Sequence, residues 1–315
     1  MKPCPQFFIM AGLAAAFSGW APAEEPVMLR QVWEPGKVYR QRLEMQQTTK
    51  IPLPEGGQEV DMAMLYEMSM SVRGNQEEKT ITGRYDRVAA EMRMGDTKLT
   101  YDSDKGEPVK GNPMAEAMAQ IAGAEFTYVV DAQNRFLRFE DFDRFLETVA
   151  QGSADGGQMA RQMFNEEQMK RLVEQSTLMG LPDRPVSAGD TWPFSLDFPL
   201  EGAGKMLVKG SYTLKGFEEL NGVRCAVIGL LAEIGGEFQA AVEGGENPAN
   251  LQMKLSASDV KGTVHWDNAL GAARSSVMDT TLKLETTIPG AAGPVEMEIR
   301  QKVSVKLAGV DDAGE

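Results

Sequence analysis

Apolar and polar residues alternate one for one over long stretches of this chain, and that pattern admits little except β-sheet. Tyr39, Leu43, Met45 and Ile51 share one parity, against Arg40, Arg42, Glu44 and Lys50 on the other. Met206, Val208, Tyr212 and Leu214 alternate with Lys209, Ser211 and Thr213. Leu282, Leu284 and Ile288 alternate with Lys283, Glu285 and Thr287. Val295, Met297, Ile299, Val303, Val305 and Leu307 alternate with Glu296, Glu298, Arg300, Lys302 and Lys306. A period of two puts every second side chain on one face. Runs this clean predict antiparallel strands with one dry and one wet face. Turn residues punctuate them at Pro54-Glu55-Gly56-Gly57, Arg73-Gly74-Asn75, Leu220-Asn221-Gly222 and Asp267-Asn268. One run changes parity, from Ile81 and Tyr85 to Val88, Ala90, Met92 and Met94, which predicts a β-bulge near Asp86-Arg87.

The middle of the chain reads differently. Asn112-Pro113 opens a helix with Met114, Ala117, Met118 and Ile121 on its apolar stripe, closed by Gly123. A hairpin follows, from about Phe126 to Phe139. Asp141 reads as the cap of a second helix that carries Phe142, Phe145, Leu146 and Val149 on one face. A glycine-bearing linker over 152–157, a helix from Gln158 to Phe164 and a third, capped by Asn165, complete this block. Strands, then helices, then strands predict an α+β fold. The expected form is a strongly curved, half-barrel-like antiparallel sheet with a helical insert packed on its concave face. The expected organisation is strands over about 36–103, the insert over about 112–180 and strands over about 190–308. These make one domain over 24–308, with a flexible acidic tail over 309–315.

Residues 1–23 read as a secretory signal. Lys2 precedes the apolar run Phe7 to Phe17, and Ala21-Pro22-Ala23 supplies small residues for cleavage before Glu24. The run is too short to span a bilayer, which takes roughly 20 apolar residues. The protein is therefore expected to be exported, to periplasm or medium, and not membrane-spanning. Past Ala23 only Cys225 remains, inside an apolar run, so the reading is a buried, inert thiol and no internal disulfide. The 46 acidic residues outnumber the 32 basic ones. No basic cluster exists that would suit nucleic acid or an anionic membrane.

Three short patterns carry a family resemblance: Trp33-x-x-Gly36-x-x-Tyr39, Gly189-Asp190-x-Trp192 and Gly262-x-x-x-Trp266-Asp267. Together they resemble a family of exported bacterial domains of unknown function. More distantly, strands around a helical insert are similar in architecture to the half-barrel of periplasmic lipoprotein carriers. That likeness implies a lipid-facing interior, and architecture alone does not carry function.

Chemistry is sparse. His265 is the single histidine and its parity turns it away from the apolar side. A histidine-pair metal site is excluded, and any triad would need His265 itself. Asp102-Ser103-Asp104-Lys105-Gly106-Glu107 lacks the later ligands of a calcium loop and reads as a turn. No cofactor, metal or catalytic residue is expected, and an enzyme is the least favoured class. The distinctive feature is a strand that places Met62, Met64, Tyr66, Met68 and Met70 on one face, with Met92 and Met94 nearby and Met114 and Met118 positioned to cover them. Methionine packs ordinary cores, accommodates varied apolar guests, and binds copper(I) through its thioether. Alternate residues of one strand do not readily converge on one ion. The expected function is a non-catalytic exported protein that binds or chaperones a lipid-like molecule between sheet and helices, through these seven residues. The competing expectation is a structural or interaction protein of the cell envelope, with a filled core and no small ligand.

Overall fold

The structure is a computed structural model that describes residues 25–313, apart from 53–56, 107–111, 152–163, 165, 168, 171–172, 174–179, 201–203, 243–248 and 287–293. The signal segment, the linker over 152–157 and much of the third helix lie outside the described residues. Twelve strands form a single sheet: β1 (Lys37–Ile51), β2 (Gln58–Gly74), β3 (Glu78–Met94), β4 (Thr97–Asp102), β5 (Glu125–Asp131), β6 (Phe136–Glu140), β7 (Thr191–Leu200), β8 (Gly204–Leu220), β9 (Val223–Val242), β10 (Ala249–Asp267), β11 (Ala272–Thr286) and β12 (Val295–Asp312). Their order is β6-β5-β3-β2-β1-β12-β11-β10-β9-β8-β7, with β4 beside β3. Every pairing is antiparallel.

The expected α+β fold is overturned. Strand accounts for 68% of the structure and helix for 9%, and the sheet is open rather than half-barrel-like. The physical reason lies in the insert itself. Its hairpin does not sit among helices: β5 pairs with β3 from Glu78↔Asp131 to Arg84↔Glu125, and β6 pairs with β5, so both extend the sheet. Only two short helices are defined among the described residues, α1 (Pro113–Ile121) and α2 (Phe142–Val149). They cover one end of the sheet and form no central helical layer.

The first and last strands join the two sheet blocks into one surface. β1 pairs with β12 from Lys37↔Asp312 to Lys50↔Glu298, so residues 309–312 are paired strand and not a free tail. The bulge read from the parity change is present: Glu67 faces Arg87 while Met68 faces Tyr85, which leaves Asp86 extra. It keeps Tyr85, Val88 and Ala90 on the same face despite the change in parity.

Two clusters of buried side chains lie on the dry face, at the end of the sheet where β1 begins and β12 ends. The larger holds Tyr39, Met70, Ile81, Tyr85, Tyr128, Met118, Ile121 and Phe145. The smaller holds Leu29, Val186, Trp192, Leu214, Ile228 and Trp266. α1 starts where Asn112 accepts a hydrogen bond from the Ala115 amide (3.2 Å) and Pro113 occupies its first turn. It ends before Gly123, whose φ of 81° suits glycine. Asp141 does not cap α2 as expected; its backbone is left-handed and its carboxylate makes no cap hydrogen bond.

Candidate functional site

The methionine strand behaves as a ruler laid across the dry face. In β2, Met70, Met68, Tyr66, Met64 and Met62 pair in register with Tyr39, Gln41, Leu43, Met45 and Gln47 of β1. On the other side they pair with Gly83, Tyr85, Val88, Ala90 and Met92 of β3, and Val60 pairs with Met94. All seven expected site residues therefore share one face, because strand parity and the Asp86 bulge place them there.

Their surroundings grade along the strand. Met70 is buried at 7% exposure. Met68, Tyr66 and Met64 are half-buried and pack against the larger cluster. Met62 and Met92 are half-buried, and Met94 is 42% exposed. Among the described residues, none of these last three packs against either cluster.

The covered end is solidly filled. Met118 of α1 is 1% exposed, and its sulfur lies 4.0 Å from the Tyr66 hydroxyl, which donates to the Met64 sulfur at 3.4 Å. The side chain of Met114 lies outside the described residues. Tyr66 meets Tyr85 edge-on at 5.9 Å, and Tyr85 meets Phe164 edge-on at 6.2 Å. Phe164 also contacts Phe145, with ring centroids 5.3 Å apart. Burial pushes both tyrosine hydroxyls above their ordinary pKa, and the neighbouring Tyr66 adds to the shift at Tyr85. A guest between sheet and helices would have to displace this packing, so any guest space lies farther along the strand.

The dry face carries almost no ionisable group. At the in-register positions of β1, β2, β11 and β12 there is no Asp, Glu, Lys or Arg from Tyr39 to Ile51, Gln58 to Met70, Ser276 to Thr286 or Val295 to Leu307. The exception on β3 is Lys79, at the covered end. It is 4% exposed, donates to Asn134 Oδ1 at 3.0 Å, and has its pKa lowered by loss of solvation.

The opposite face holds the charges. A cavity of about 570 Å³ opens there, lined by Arg42, Glu44, Leu65, Glu91, Lys98 and Asp102, with Met45 and Met64 also touching it. Arg87 pairs with Asp102 (3.0 Å) and Asp104 (3.1 Å), and Lys105 pairs with Asp102 (3.1 Å). The Arg87 guanidinium leads in holding the Asp102 carboxyl down at about 2. Asp102 and Asp104 of this turn are thus neutralised by cations, and Glu107 lies outside the described residues.

His265 lies on this wet face. Its Nδ1 is 3.0 Å from Ser275 Oγ and its Nε2 3.6 Å from Glu218 Oε2. The three residues stand on β10, β11 and β8. Among the described residues, no three His, Cys, Asp or Glu side chains gather as a metal site. The thioethers of β2 stand about 7 Å apart along the strand, too far to share an ion without rearrangement. No described helix is long and apolar enough to cross a membrane.

The residues that carried the family resemblance do structural work. Trp33 packs edge-on to Tyr39 at 4.9 Å, and the Tyr39 hydroxyl accepts from the Glu34 amide at 3.1 Å. Trp192 Nε1 donates to the Gly180 carbonyl at 2.6 Å. Asp190 accepts from the Ser187 amide (2.9 Å), and Asp267 from Ala269, Leu270 and Arg274 (3.0, 3.0 and 2.8 Å). The polar pair Gln47 and Gln301 is not legible in the sequence, because the two residues meet only where β1 pairs with β12.

A search of curated protein sequences found no significant match. Among solved structures, the chain is similar to lipovitellin in a structure concerned with its lipid–protein interactions, at 12% identity and a TM-score of 0.49, over 90% of this chain. The chain spans about a quarter (26%) of the length of that lipovitellin chain. It is also similar to a putative outer membrane lipoprotein-sorting protein domain from Vibrio parahaemolyticus, at 8% identity and a TM-score of 0.14, covering 86% of this chain and 84% of that one. A DUF1329 family protein from Desulfovibrio piger matches at 8% identity and a TM-score of 0.14, with 89% of each chain covered. Likenesses this weak carry no argument about function. The match to a family model is different in kind, since it spans Gly189-Asp190-x-Trp192 and every strand from β3 to β10. Over residues 76–272 the sequence matches the family of unknown function DUF6263, and the chain belongs to that family.

Proposed function

We propose that the protein is an exported, non-catalytic carrier that holds an apolar, lipid-like molecule against the outer part of its dry face. Export rests on the signal-like residues 1–23. The observation that supports the carrier reading is the uncharged methionine face running, among the described residues, past the elements that cover it, from buried Met70 to exposed Met94. Soluble proteins seldom leave a contiguous apolar surface uncovered unless it meets a partner or ligand. Methionine suits guests of varied shape, since its flexible, polarisable side chain repacks around them. Met62, Met64, Met92 and Met94 would contact the guest directly. Tyr66 and Met68 would support them, and Met70 would anchor the strand in the core.

Native mass spectrometry of the protein purified from its own host tests this. A co-purifying mass of lipid size, lost in a Met62→Ser/Met92→Ser variant that still folds, is the expected result. A bare protein mass, together with failure to bind any apolar fluorophore, would leave a filled-core envelope protein with no small ligand as the better reading.

A further inference from the structure

The outer dry face is not uniformly apolar. One row of side chains crosses it at the level of Met92 and Met62. It continues through Gln47, Gln301 and Thr280, each in register with the next. Gln301 Nε2 donates to the sulfur of Met45 at 2.9 Å and reaches Gln47 Oε1 at 3.5 Å. Gln47 Nε2 donates to Thr49 Oγ1 at 3.2 Å. A thioether is a weak acceptor, so the Gln301 amide spends its shortest contact on a poor partner. Above and below this row the face returns to Ile299, Val303, Met278 and Leu282.

We infer that Gln47 and Gln301 read an uncharged ester or amide carbonyl, so that the bound molecule is a neutral ester- or amide-linked acyl chain. The acyl chain lies along Met62, Met64 and Met92, and the Gln301 amide turns from the Met45 sulfur to the carbonyl oxygen. This inference rests on the carrier reading and specifies its ligand class. Absence of charge argues the same way. A free carboxylate or phosphate seated at this row would be desolvated, with no Lys or Arg at the dry-face positions of β1, β2, β11 and β12 around it. A plain hydrocarbon offers the Gln301 amide no better acceptor than the Met45 sulfur, whereas a carbonyl oxygen does.

The test uses the mature full chain and displacement of an environment-sensitive apolar fluorophore. Competitors are a long-chain fatty acid methyl ester, the matching alkane, and the free acid at pH 8. The ester is expected to bind about tenfold tighter than the alkane, the scale of one net hydrogen bond. In Gln47→Leu/Gln301→Met the ester falls to the alkane's affinity while the alkane holds or improves. Gln301→Lys should turn preference toward the free acid, a gain that structural damage would not produce. Equal ester and alkane affinities in the wild type, with the fluorophore bound, would overturn this inference and leave the carrier reading standing. A wild-type protein that binds no fluorophore defeats both. If Gln47→Leu/Gln301→Met melts early, Gln301→Lys alone decides.

Discussion

The two ends of β2 carry the same residue type on the same face and have opposite fates. At one end Met70 lies beneath Phe126, which closes over Gly83 beside the Met70 sulfur. At the other, Met62 sits among Met92, Gln47 and Val60, with no described element packed over it. Parity decides which face a methionine occupies; tertiary cover decides whether it is core or surface.

The comparison breaks most visibly under truncation. Met70→Ala and Met118→Ala should each lower unfolding stability by about 2–5 kcal/mol. Met62→Ala should cost less than about 1 kcal/mol, the range of partly solvated sites, read by urea denaturation. Equal losses would mean that the outer end is covered after all.

A second contrast is between charges. Lys79 is a buried ammonium on the dry face, and its pKa is lowered in the fold. A lysine with a lowered folded pKa penalises the native state below that pKa, and the penalty fades as pH rises toward the unfolded value near 10.5. Wild-type stability should therefore climb relative to Lys79→Met as pH is raised toward 10.5. A flat difference would show that Asn134 and its surroundings solvate the ammonium adequately.

The smallest effect belongs to the wet face. Asp102 has its carboxyl held to about 2 by Arg87. Its contribution is present above the unfolded pKa near 3.8 and is lost as pH falls through about 2. Asp102→Asn should lower stability at pH 7, by less than Met70→Ala does, and flatten the acid limb, the loss fading as pH falls from 3.8 through about 2. A change at pH 7 as large as that at Met70 would place the ion-pair cluster among the determinants of the fold.

Local features were legible in the sequence where the signal was local. Alternation located the dry face of β1, β8, β11 and β12, and the change of parity after Tyr85 located the bulge at Asp86. Asn112-Pro113 and Gly123 bracketed α1, and the Phe126 to Phe139 hairpin was visible as β5 and β6. The fold class was misread because nothing local says where a hairpin docks: β5 adds to β3 through pairs about 45 residues apart. The union of the two sheet blocks depends on β1 meeting β12, the longest-range pairing in the chain. Met62 and Met70 differ in no property that a parity count can detect. The Gln47–Gln301 pair was hidden for the same reason, being one site only once the seam is closed.

That seam also sets an order of events. Each half can build its own ribbons from neighbouring hairpins as they emerge, but the strand that welds them is the last one made. The sheet cannot be completed until nearly the whole polypeptide is available, and pairings this distant are slow to find. A chain that postpones its final closure stays pliable until its last strand has found the first.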